Sequence, residues 1–211
     1  MIIYGSPLSP FVRKTLAAIA EKGLTAEMKP VFPGSDDAEF RQASPFGKIP
    51  GFRDGEFSIS DSTAIITYLE AKYPEPALLP ANPADRARAI WFEEFADTIL
   101  GAAVGKIFFN RIVAKMMGRQ GDLAAADEAE RSEVPPLCDY LERLIPSSGF
   151  LVADQLTLAD LAVASPFVNF DHANVRPDPA THPKLVAYLA SIHGRASFAP
   201  TIAQEKAILA G

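Results

Sequence analysis

One cysteine in 211 residues, Cys138, leaves no pair for an internal disulfide, and a reducing compartment fits such a chain best. No run approaches the roughly 18 apolar residues that cross a bilayer, so no membrane partner is expected. The N-terminus lacks the basic-then-apolar layout of a secretory signal, which makes the cytoplasm the expected location. Excess positive charge is missing too. The chain sets 20 Lys and Arg against 26 Asp and Glu, a net charge of −6, which speaks against the electrostatic footprint of a nucleic-acid binder. No internal repeat or low-complexity segment occurs, and no metal is expected.

The remainder is ordinary for a globular chain, with 48% hydrophobic and 22% charged residues. Its length suits one large or two modest cores. Met1-Ile2-Ile3-Tyr4 is apolar and β-prone, and Leu16, Ile19 and Ala20 then recur at helical spacing up to Glu21-Lys22-Gly23. Ser9 therefore stands where a strand gives way to a helix, with Pro10 in the first helical position that proline favours. Leu24 to Phe32 reads as a second strand and Asp36 to Ala43 as a short helix. Asp54-Gly55, between two short apolar pieces, signals a hairpin. Asp61-Ser62-Thr63 opens a helix with Ile65, Ile66, Leu69 and Tyr73 on one face, ending at Pro74. These elements make a small α/β unit with a mixed sheet.

Pro74, Pro76, Pro80 and Pro83 interrupt the next stretch, which reads as an interdomain linker. The expected limits are 1–76 and 84–211, joined by 77–83. The second part reads as wholly helical. A long segment from Ala84 to about Met117 carries Gly101 and Gly105 on one face, where another helix could approach. Pro135-Pro136 predicts a kink or two helices within Leu123 to Ile145. Thr157-Leu158-Ala159-Asp160 resembles a capping box, with Asp in place of the usual Glu. His182-Pro183 to Ala190 reads as the last helix, and the tail from Pro200 shows no pattern.

Three pieces of the first unit carry possible chemistry. At Ser9 the unpaired N–H groups and positive dipole end of a helix would attract an anion, to which the hydroxyl could donate; simple N-capping is the plainer reading. Ile49-Pro50 enters a strand, where proline is either an edge residue or a cis bond that turns the preceding carbonyl and N–H outward. Asp61-Ser62 either caps a helix or holds a carboxylate and an ammonium group. Lys48 is either a solvated lysine or a further contact. Together they suit a ligand with a thiol, an extended peptide backbone and charged ends.

Over nearly its whole length the chain resembles a cytosolic glutathione S-transferase. The resemblance rests on Ser9-Pro10-Phe11 with Ala20-Glu21-Lys22-Gly23, Gly47-Lys48-Ile49-Pro50, and Asp61-Ser62-Thr63-Ala64-Ile65. Gly149-Phe150-Leu151-Val152-Ala153-Asp154 and Leu156-Thr157-Leu158-Ala159-Asp160 match in the second part. It implies a thioredoxin-like α/β N-terminal domain plus an all-α C-terminal helical domain. It implies Ser9 as the catalytic hydroxyl, and Phe11, Lys48, Ile49, Pro50 (as a cis proline), Asp61 and Ser62 as glutathione-binding residues. Thr157 and Asp160 match structural capping positions. Glutathione would be the co-substrate, a small hydrophobic electrophile its partner in reaction, and a homodimer the assembly. Peroxidase or isomerase activity on the same thiolate, or a non-catalytic binding module, are the alternatives. The Ser-Ser-Cys-Ser motif of the zeta class is absent, and so is a cysteine at position 9, which argues against thiol reduction. Ser6 is the competing serine.

Overall fold

The computed structural model describes Met1–Ala210, which form two compact units. The first comprises Met1–Leu78 together with the segment from Ala196, and the second Leu79–Arg195.

The first unit is built on β1 (Ile2–Gly5), whose alternation sends Ile3 and Tyr4, both buried, to opposite faces. A parallel neighbour needs a crossover connection, and α1 (Pro10–Glu21) supplies it on the way to β2 (Glu27–Pro30). After α2 (Ala38–Ala43), β3 (Gly51–Asp54) and β4 (Phe57–Ser60) add antiparallel strands, giving the order β2-β1-β3-β4. Then α3 (Ser62–Lys72) follows. Ile3, Val12, Ile19, Phe52, Ile65 and Leu69 close the core on the face covered by α1 and α3. Tyr4, Phe40 and Ala43 close a smaller one against α2, and Ile49 packs on both. The hairpin turn lies one residue later than the Asp-Gly pair suggested. Asp54 still pairs with Phe57, and Gly55, with φ of +62°, begins the two-residue loop.

The second unit is helical throughout. Its first helical stretch, 83–116, is continuous but contains two wide-turn π segments, Phe95–Leu100 and Phe109–Val113. Pro135-Pro136 does divide the next region: Leu123–Ser132 ends before Val134–Leu144 begins, and both prolines sit in the second helix's first turn. Leu158–His172 is the central helix, buried on every side from Leu158 to Phe170, as an apolar helix must be. Gly105 is exposed, with open space where a Cβ would stand, so no helix of the described chain crosses there. No helix among the described residues is long and apolar enough to cross a membrane.

The patternless tail is a helix, Ala199–Ala210, that belongs with the first unit. It carries no continuous apolar stripe, and its one fully buried residue is Glu205. Glu205 forms a two-pronged ion pair with Arg13 of α1, Nε to Oε1 at 2.7 Å and Nη2 to Oε2 at 2.6 Å. Both side chains are sealed from solvent. A pairing across 192 positions leaves no local trace in the sequence.

At the start of the central helix the capping arrangement forms as expected. The Asp160 carboxylate accepts from Leu151 N at 2.9 Å and Thr157 N at 2.9 Å. Burial pushes this carboxyl up from 3.8 to about 6, against the opposing pull of those two N–H groups. Between those values the folded chain keeps a proton that the unfolded chain has released. The stability this contributes is therefore present below pH 3.8 and lost as pH rises through about 6. Asp160→Asn removes that titration and puts one amide N–H against a backbone N–H. Urea midpoints taken from pH 4 to 7 should fall less steeply in the variant, by up to about 3 kcal/mol over the window. Parallel profiles for the two proteins would contradict the assignment.

Candidate functional site

The site grows from the end of β1. Ser6 C=O accepts the Ser9 N–H at 3.0 Å, turning the chain so that Ser9 caps α1. The Ser9 hydroxyl accepts from Val12 N at 3.4 Å, a long bond that leaves its own proton free to donate elsewhere. Pro10 has no N–H, and the Phe11 N–H takes no hydrogen bond among the described residues. No acidic side chain occupies this first turn, so the positive end of the α1 dipole is not offset by its own helix. Ser6 shapes the turn through its carbonyl.

Gly5 brings the second piece into place. A Cβ here would lie 2.5 Å from Val12 Cγ2 and 3.6 Å from Ile49 Cβ. The strand end, the first turn of α1 and the approach to β3 meet only because that position has no side chain. Ile49 precedes a cis bond to Pro50, as predicted, and its backbone makes no hydrogen bond among the described residues. A second cis bond, Glu75-Pro76, lies outside the site. The Pro50 C=O accepts from Asp61 N at 3.3 Å, which joins the third piece to the second.

Asp61 caps α3 through one oxygen, Oδ1, which accepts from Thr63 N at 2.9 Å and Ala64 N at 3.1 Å. Its Oδ2 takes no hydrogen bond among the described residues, and the residue is exposed. Its φ of +83° is a sparsely populated conformation for a residue with a Cβ, of a kind that clusters at ligand sites. Ser62 is buried in the first turn of α3. Lys48 is exposed, and its carbonyl accepts from the Ser44 hydroxyl at 2.6 Å.

Arg41 is a residue that sequence reading missed. It straps the loop before Lys48 by donating to Ser35 O at 2.6 Å, Gly34 O at 2.8 Å and Pro45 O at 3.4 Å. Gly47 lies under it at φ of +66°, where a Cβ would come within 2.9 Å of Arg41 Nη1. Gly5 was also missed, although a glycine closing an apolar strand is a known mark of close backbone approach.

Gly5 ties the α1 start, with Ser9 and Phe11, to Ile49, and the Pro50 C=O ties Ile49 to the Asp61 cap; Pro50 and Ser62 are buried, and Lys48 precedes Ile49 in the chain. Thr157 and Asp160 belong to the second unit and cap a helix. Chemically the junction offers a hydroxyl and a helix N-terminus to an anion, an unpaired backbone edge to an extended peptide, and a carboxylate oxygen to a cation.

Two family profiles match the chain, the glutathione S-transferase N-terminal domain over residues 3–77 and C-terminal domain over residues 108–203. The chain is 30% identical to glutathione S-transferase 3 of Zea mays, over 95% of its own length and 92% of that protein. It is 32% identical to an uncharacterized GST-like protein, YibF, of Escherichia coli (strain K12), over 95% of its own length and 98% of that protein. A solved glutathione S-transferase structure from Rhodospirillum rubrum F11 superposes with a TM-score of 0.87 at 28% identity, covering 95% of this chain and 90% of that one.

The Gly5 junction is open to a direct check. A methyl group at position 5 meets a short, stiff valine side chain, so Gly5→Ala should lower stability by about 1–3 kcal/mol, the range for overpacking. In amide NMR spectra the largest shifts should fall at Val12 and Ile49. Wild-type stability with an unchanged spectrum would refute the close approach.

Proposed function

The chain belongs to the glutathione S-transferase family, and from that premise we propose that it activates glutathione for attack on a small hydrophobic electrophile. In this reading Ser9 is the catalytic residue, and Phe11, Lys48, Ile49, Pro50, Asp61 and Ser62 bind glutathione. One observation carries it: the first turn of α1 joins a hydroxyl with a free proton, an unengaged Phe11 N–H and no acidic side chain, beside the unpaired backbone of Ile49.

Those residues suit a tripeptide with a thiol. When bound, glutathione supplies a thiolate sulfur, the form of the thiol that is a good nucleophile. Ser9 donates a hydrogen bond to that sulfur while the first-turn N–H groups add their dipoles, and both favour the charged form. A free thiol near pKa 8.5 is mostly protonated at neutral pH, and each unit by which the site lowers it corresponds to about 1.4 kcal/mol. Ile49 offers its backbone N–H and C=O to the cysteinyl part in the manner of an added strand. Asp61 holds the ammonium end through Oδ2, and the start of α3 at Ser62 receives the neighbouring carboxylate. Lys48 pairs with a terminal carboxylate.

The test separates the two serines. Ser9→Ala should keep the fold and glutathione affinity but raise the pKa of bound glutathione, followed by thiolate absorbance against pH. Turnover at neutral pH should fall about tenfold or more, whichever of the aryl halides, hydroperoxides or unsaturated carbonyls is accepted. Ser6→Ala should change little. A titration shifted by Ser6→Ala and not by Ser9→Ala would overturn the assignment. Binding without turnover of any of the three classes would favour a binding module.

A further inference from the structure

We propose that the C-terminal helix positions the anion site at the start of α1, with Glu205 and Arg13 as its positioning residues. The inference rests on the glutathione reading of that turn and adds to it a part of the chain remote in sequence.

Arg13 stands one turn after Ser9, and its N–H donates to the Ser9 C=O at 3.0 Å. Any rotation or sliding of α1 at Arg13 is therefore passed to Ser9 and to the Phe11 and Val12 amides. The guanidinium is gripped from two directions by Glu205, at 2.7 and 2.6 Å, and a fork-to-carboxylate contact fixes a plane as well as a distance. A second contact lies two turns further along, where the Ser197 hydroxyl donates to Glu21 Oε1 at 2.5 Å. Arg13 to Glu21 and Ser197 to Glu205 are equal spans running in opposite directions, so the C-terminal segment lies antiparallel along α1 and meets it near both ends.

Stability alone does not account for this arrangement. A fully buried ion pair is often no more stabilising than apolar side chains of similar volume. The direction it imposes is what an apolar contact would lack. Removing one half alone would change the charge near the anion as well as the geometry, and the two effects could not be separated.

The informative variant is therefore the neutral double, R13M/E205L, made in the full chain. Urea unfolding establishes that it folds, and amide hydrogen exchange is then measured at positions 12 and 13 without ligand. Absorbance titration of added glutathione gives the second readout. Exchange should be at least tenfold faster at both positions, and the bound thiol pKa should rise by about one unit, a tenfold loss of thiolate at neutral pH. A stable double variant with wild-type exchange, or with faster exchange but an unshifted titration, overturns the proposal. If the double variant does not fold, Arg13→Lys, which keeps the charge but not the fork, takes its place: the same two changes are expected of it, and the absence of either overturns the proposal. Should wild-type protein leave the glutathione thiol at its free pKa, the glutathione reading itself fails, and the exchange comparison alone decides whether the helix holds the turn.

Discussion

Everything at the site depends on how closely the chain can approach itself at Gly5. Three segments far apart in sequence, the end of β1, the first turn of α1 and the entry to β3, share one point that a single methyl group would block. From that contact the rest follows outward. Val12 leads back to the hydroxyl it donates to at Ser9, and Ile49 leads through Pro50 to the Asp61 cap of α3. A hydroxyl, an unpaired backbone edge and a carboxylate oxygen are thus tied to one junction of the first unit. The sheet fixes their spacing, because β1 and β3 are hydrogen-bonded neighbours.

The site uses helix starts twice, and in each the chain leaves a polar function unspent. At α1 the capping hydroxyl accepts a long bond and keeps its proton, and at α3 the capping carboxylate spends one oxygen on two N–H groups and keeps the other. A residue whose only role was capping could satisfy itself fully. Contrast the second unit, where both Asp160 oxygens are engaged by backbone N–H groups and the side chain is buried, which is what a structural cap requires. The two uses of one motif differ in what remains unsatisfied.

Much of this was legible in the sequence because the signals are local. Ser9-Pro10, the Ile49-Pro50 cis bond, Asp61 at a helix start and the Thr157 to Asp160 cap each depend on residues within a few positions of one another. The helix Ala199–Ala210 was not legible, since it is held by an ion pair to Arg13 rather than by an apolar face with helical period. Gly101 and Gly105 suggested that another helix could approach, from this chain or from a second copy; small residues permit approach without requiring it, and within the described chain nothing stands against Gly105. The hairpin slipped by one residue because Asp54 satisfies the ladder before the turn begins. Arg41 escaped notice because its partners are backbone carbonyls, and any residue supplies those.

The most direct measurement is an amide NMR titration of the full chain with glutathione. The Phe11, Val12, Ile49, Ser62 and Thr63 amides should shift most and together, following a single dissociation constant, while the Leu151 and Thr157 amides beside Asp160 stay in place. Saturable shifts confined to other parts of the chain, or separate constants for the Phe11 and Ser62 regions, would contradict the claim that these helix starts and the Ile49 edge form one site.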